Sequence, residues 1–130
     1  MSSHTAQGIY AESIFIVECL KRNLKLSQPI ADLYGYDFII ETSNGFKKVQ
    51  VKSSKKPCRK NSYNMSVNRG FNARPYDDGD FDYVACYLIQ HDLWYIIPFH
   101  LVKGKRSIRL FPSATRSRYN GYQSNFDCLK

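Results

Sequence analysis

The sequence has no apolar run near the roughly 20 residues needed to cross a bilayer as a helix. Its longest apolar stretches are residues 14–17 and 84–89, so a soluble chain is expected. Cysteine is sparse and scattered: Cys19, Cys58, Cys86 and Cys128 lie 39, 28 and 42 residues apart. That spacing lacks the close ligand pairs of a structural zinc site. Nothing at the N-terminus resembles an export signal, and a chain with 43% hydrophobic residues does not need disulfide staples, so reducing cytoplasm is the expected compartment. Acids are scarce as well. Eleven Asp and Glu stand against 19 Lys and Arg, for a net charge of +8, and none lies between Leu93 and Phe126. Such a balance points to a polyanionic partner, nucleic acid first. Ten Tyr and eight Phe exclude a disordered basic tail. At 130 residues, one domain over 1–130 is expected, and a two-domain enzyme is excluded.

Residues 5–23 contain no proline and place Tyr10, Ala11, Ile14, Phe15, Ile16, Val17, Cys19 and Leu20 as a largely buried helix would. Pro29 limits residues 28–31 to a short edge strand. Residues 36–42 and 46–53 read as strands, and Asn44-Gly45 between them predicts a type I′ hairpin. Shorter strands are expected at 63–67, 81–90, 94–99 and 107–111, with a tight turn at 91–93. The segment beyond Pro112 is polar and basic and carries no clear pattern.

With Asn44 and Gly45 as the two loop residues, Glu41 faces Lys48, Ile39 faces Gln50 and Asp37 faces Lys52. Opposed residues share a face of the pleat, so Phe38, Ile40, Val49 and Val51 form an apolar side while Asp37, Gln50 and Lys52 gather on the other. On the helix, Glu12 falls between Ile16 and the Phe15/Cys19 side, where an unpaired charge would be costly. Glu18 sits four residues before Arg22 and reads as an ordinary helical ion pair.

These residues resemble the core of the PD-(D/E)XK nucleases: Glu12 on a leading helix, Asp37 within Tyr36-Asp37-Phe38-Ile39-Ile40, a hairpin, then Gln50-Val51-Lys52. The closest form is the Gln-x-Lys subset found in homing endonucleases encoded in group I introns, where the run from Gln50 to Ser54 and the later pair Tyr95 and Pro98 also have counterparts. The resemblance covers roughly residues 5–100. It implies a restriction-endonuclease-like α/β domain, a mixed central sheet flanked by helices, with basic DNA-contacting loops. It also implies Mg²⁺-dependent hydrolysis of double-stranded DNA, with Mn²⁺ as a substitute ion, leaving 5′-phosphate and 3′-hydroxyl ends. Asp37, the Gln50 amide oxygen, the Val51 carbonyl and Glu12 would bind the metal. Such all-oxygen donor sets suit Mg²⁺. Glu12, Asp37, Gln50 and Lys52 would be the catalytic set. Lys52, with an ordinary pKa of about 10.4, would orient the nucleophile and stabilise phosphoryl charge rather than act as a base. A neutral Gln50 in place of the usual acid should weaken metal affinity. Cutting both strands implies a homodimer or larger homo-oligomer.

Other readings fit parts of the pattern. Asp37 and Lys52 would also make a cross-strand ion pair. Gln50 would suit any solvent-facing strand position, and Glu12 would serve as a hydrogen-bond acceptor near a helix start. A Holliday junction resolvase or restriction enzyme would share the same scaffold, and a non-catalytic basic nucleic-acid-binding module or an RNA-binding domain would share the charge. Lys55, Lys56, Arg59 and Lys60 begin three residues after Lys52 and read as phosphate contacts, and six such contacts would give a log–log salt slope of about −5. Asn61, Asn64, Asn68, Arg69 and Arg74 are suited to reading base edges, or form an ordinary polar loop. Asp77, Asp78 and Asp80 lack calcium-loop spacing and read as turn residues, with Asp82 fixing the local fold. His4, His91 and His100 have no triad-like neighbours.

Overall fold

The computed structural model describes residues 4–31, 34–70 and 74–130. Its elements are α1 (His4–Lys21), β1 (Lys25–Ser27), β2 (Phe38–Thr42), β3 (Gly45–Ser54), β4 (Tyr63–Ser66), β5 (Tyr83–Leu88), β6 (Leu93–Pro98) and β7 (Ser107–Leu110). A five-stranded sheet runs in the order β1-β2-β3-β5-β6, and β4 pairs with β7 in a separate ribbon. Among the described strands only β3 and β5 pair in parallel, and the other pairings are antiparallel. The sheet is therefore mixed, as expected.

α1 buries Ala11, Phe15 and Cys19, at i, i+4 and i+8, against Phe38, Ile40, Val49, Val51, Trp94 and Ile96. The Phe15 ring lies 5.3 Å from Phe38 and 5.4 Å from Trp94. The helix ends where Asn23 turns left-handed at φ +58°. There the Leu24 N–H donates to the Cys19 carbonyl at 2.9 Å and the Asn23 N–H to Leu20 at 3.1 Å, a Schellman closure that folds Leu24 back onto the core. The opposite face of the sheet packs under the ribbon, with Val84, Cys86, Leu88, Tyr95 and Ile97 against Tyr63, Met65, Ile108 and Leu110. β5, buried on both faces, reads in sequence as an almost unbroken apolar run.

Several expectations are corrected. The edge strand lies at Lys25–Ser27 rather than 28–31, because Leu26 opposite Ile40 extends the ladder and Pro29 has no N–H with which to continue it. The hairpin turns on Ser43 and Asn44, pairing Thr42 with Gly45. Gly45 alone takes a positive φ, +102°, while the Thr42 hydroxyl accepts the Asn44 N–H at 3.1 Å. This is a turn closed by a left-handed glycine rather than type I′. Relative to the expected register the partners move by two residues: Ile39 faces Lys48 and Glu41 faces Phe46, while Asp37 lies just before the ladder, which begins at Phe38. A shift of two preserves the faces, so the apolar and polar sides stand as expected. α1 is the only α-helix among the described residues, and the other helical segments are single 3₁₀ turns.

Candidate active site

Asp37 enters β2 doubly tied to β3. Its N–H donates to the Val49 carbonyl at 2.8 Å, and its Oδ2 accepts the Val51 N–H at 2.8 Å. The carboxylate is thus fixed at the middle of the strand that carries Gln50 and Lys52. Gln50 is buried, at 9% exposure, and its amide end lies 3.4 Å from the Val51 carbonyl. In that contact the Gln50 Nε2 is the donor. Glu12, half-buried on α1, lines one polar cleft of about 350 Å³ together with Asp37, Tyr36 and residues 28–31. A hydrogen bond of 2.9 Å from Gln7 to the Ser53 hydroxyl docks the first turns of α1 on β3.

Lys52 shares the face of Gln50 and is half-buried. Its ammonium donates to the Asn68 carbonyl at 3.1 Å and stands 5.3 Å from the Tyr76 ring centroid. Neither partner is a carboxylate. Asp37 thus meets Glu12 in the cleft and is bonded to Val51 between Gln50 and Lys52, which rise from one face of β3. Among the described residues there is no cluster of three or more His, Cys, Asp or Glu able to hold a metal. The donor set present is two carboxylates, an amide and a main-chain carbonyl, all oxygen, which fits a hard divalent cation and not zinc.

Supporting contacts shape this region. Tyr34 and Tyr36 stack at 5.6 Å beside the cleft, and Lys48 lies 5.6 Å from the Tyr36 ring centroid while donating to the Gly79 carbonyl. A Cβ on Gly35 would fall 2.8 Å from that of Asp80, so only glycine permits this approach. Asp82 accepts the Lys48 N–H at 2.8 Å and returns its own N–H to the Lys48 carbonyl at 2.8 Å, fixing the local fold as the sequence suggested. Glu18 pairs with Arg22 at 3.2 Å, away from the site.

Of the basic loop, Lys55 is half-buried, Lys56 and Arg59 are exposed, and the Lys60 side chain lies outside the described residues. Asn61 is exposed at φ +55°, and Asn64 is exposed on β4. Asn68 gives its amide to the Arg106 carbonyl at 3.0 Å. Arg69 is paired with Asp80 at 2.5 Å and Asp77 at 3.4 Å, and Arg74 lies 3.8 Å from Asp77. The acidic turn thus pairs with both arginines. Sequence reasoning missed Tyr76 and the Gln7–Ser53 tie, for which no local signal exists. All four cysteines are free thiols.

A family profile described as PD-(D/E)XK endonuclease matches residues 2–127. Among solved structures, that of a bacterial homing endonuclease, I-Ssp6803I, matches with a TM-score of 0.85 at 26% identity, over 98% of this chain and 93% of that one. No curated protein sequence matches.

Proposed function

The chain belongs to the PD-(D/E)XK endonuclease family, and from that premise we propose that it is a Mg²⁺-dependent endodeoxyribonuclease of the homing type acting on double-stranded DNA. The observation that carries this reading is the convergence of Asp37, tied to the Val51 N–H, with the Gln50 amide, the Val51 carbonyl and Glu12 of the same cleft. Asp37, Gln50, Val51 through its carbonyl, and Glu12 would hold Mg²⁺, or Mn²⁺ in its place. The bound ion would supply Lewis acidity toward the phosphate and a lowered pKa for its water.

The chain's own part is positional. Asp37 cannot swing away, because both its main chain and its carboxylate are bonded to β3. Lys52, held by the Asn68 carbonyl and not neutralised by an acid, carries its charge to the scissile phosphate, where it aligns the attacking oxygen and stabilises the charge gathering on phosphoryl oxygens. Lys55, Lys56, Arg59 and Lys60 would bind the backbone, with Asn61, Asn64, Asn68, Arg69 and Arg74 also at the DNA surface. One domain spans 1–130 in this reading, the products carry 5′-phosphate and 3′-hydroxyl ends, and the protein works in the cytoplasm. Each chain has one site, so a double-strand cut takes at least a homodimer.

The test is Mg²⁺-dependent cleavage of a randomised duplex pool. Lys52→Ala should bind DNA yet cut it about 10²–10³-fold more slowly in single turnover. Wild-type protein that cuts no duplex with Mg²⁺ or Mn²⁺ would overturn the proposal.

A further inference from the structure

β4 and β7 pair in the register Tyr63–Leu110, Asn64–Arg109, Met65–Ile108 and Ser66–Ser107. The pleat sorts these eight residues into two rows. The inner row, Tyr63, Met65, Ile108 and Leu110, is buried against the main sheet, which seats the ribbon firmly. The outer row is Asn64, Ser66, Ser107 and Arg109, and all four are exposed. Every one can hydrogen-bond, yet none of these side chains has a hydrogen-bond or ion-pair partner among the described residues. Nearby Ser62, Asn68, Ser117 and Asn120 behave differently, since each spends its side chain on a local bond. The outer row is therefore a rigid, outward array with its donors and acceptors uncommitted.

Charge favours the same partner. Lys105, Arg109, Arg116 and Arg118 line a cavity of about 530 Å³, which lies beside β7 and apart from the cleft of Asp37. No carboxylate among the described residues lies within ion-pair distance of any of them, whereas Arg69, Arg74 and Lys103 are all paired with the acidic turn. The ribbon also covers the sheet face from which Gln50 and Lys52 rise, and the Lys52 bond to the carbonyl of Asn68, two residues past β4, couples it to the site.

A two-stranded ribbon, with strands about 5 Å apart, fits a major groove about 12 Å wide. Its two outer pairs are separated by two residues, about 7 Å, or close to two base-pair steps. We infer that the outer row of the β4–β7 ribbon reads base edges in the major groove of the target. Arg109 is suited to guanine O6 and N7 and Asn64 to adenine N6 and N7, while Lys105, Arg116 and Arg118 hold flanking phosphates. The inference rests on the endonuclease reading for its duplex substrate and adds β7 to the surface that recognises it.

The experiment is selection of bound duplexes from a randomised pool, in Ca²⁺, by full-length wild type and by Arg109→Ala, Arg109→Lys and Arg116→Ala. Wild type should return a consensus. Arg109→Ala should lose a guanine preference at one position of each half-site and about ten- to a hundredfold of its affinity for the consensus, with little change on scrambled duplex. Arg109→Lys, which keeps the charge and loses the fork, should relax the same position. Arg116→Ala should weaken both duplexes alike and flatten the salt slope by about one. Equal weakening of consensus and scrambled duplex by Arg109→Ala, or no weakening, would overturn the inference, as would wild type that selects no consensus. Melting temperatures of the exposed-site variants check that they fold. The two readings separate cleanly: position-specific loss without any Mg²⁺-dependent cutting removes the endonuclease and keeps the ribbon, and cutting without position-specific loss does the reverse.

Discussion

Asp37 holds two jobs in one carboxylate, and substitution separates them. Its Oδ2 accepts the Val51 N–H at 2.8 Å, so removing the acceptor leaves a strand amide without its partner. Such a loss costs about 1–3 kcal/mol. Asp37→Asn keeps an oxygen for Val51 and removes the negative charge. Asp37→Asn should therefore melt close to wild type while cleaving about 10³-fold more slowly or less. Asp37→Ala should be equally inactive and less stable by about 1–3 kcal/mol in chemical denaturation. Equal stability of the two variants would show that the Val51 bond contributes nothing. At this scale the sequence was a good guide: the polar face carrying Asp37, Gln50 and Lys52 follows from alternation, and the inward position of Glu12 from the helical wheel. Tyr76 and the Asn68 carbonyl beneath Lys52 were not legible, because a main-chain oxygen brought in from a distant loop leaves no trace in residue type.

Among the elements, the hairpin shows how a sequence signal can be right in kind and wrong in detail. Asn44-Gly45 does mark the turn between β2 and β3, but the left-handed conformation falls on Gly45 alone, and the Thr42 hydroxyl binds the turn on both sides, accepting from Asn44 and donating to the Gly45 carbonyl at 2.8 Å. Two glycine-compatible residues in a row allow either turn, and the choice is made by a side-chain bond that pattern reading does not rank. Because the register error is two residues, the polar face survives it, whereas an error of one would have put Asp37 into the core. The ribbon is a harder case. Alternation in 63–66 and 107–110 gives each strand its inner and outer row, but the 40 residues between Ser66 and Ser107 conceal that they pair. The turn geometry makes a clear prediction. Nothing lies within 4 Å of a Cβ on Gly45, so Gly45→Ala suffers from backbone strain alone, about 1–2 kcal/mol, read as a lower denaturation midpoint. Asn44→Ala should be nearly neutral, whereas a type I′ turn would make both substitutions costly.

For the molecule as a whole, alkaline pH sets two effects against each other. Near the isoelectric point of about 9.4 the positive self-repulsion of the free protein vanishes, which favours the folded state. Burial works in the opposite direction. The Cys19 thiol, enclosed in the helix–sheet core, is pushed from an ordinary 9.0 up to about 12, and the Cys86 thiol under the ribbon likewise to about 12. Tyr87 is also raised, by burial first and then by its hydrogen bond to Asp92. A group whose pKa is higher folded than unfolded binds its proton more tightly in the folded state. Its stabilisation is complete below the unfolded value and is lost as pH rises toward the folded one. As pH rises from about 9 toward 12 each such thiol lowers stability, and the two add in the same direction. Domains of this size are stable by about 5–15 kcal/mol, and the opposing relief of self-repulsion involves exposed charges that salt screens. Thermal denaturation should therefore show a melting temperature that holds to about pH 9 and then falls steeply. Cys86→Ala, compared with itself across the same range, should show a shallower fall even though its starting stability is lower. A melting temperature that rose through pH 11, or an unchanged slope in Cys86→Ala, would mean that the buried thiols do not govern alkaline stability and that surface charge does.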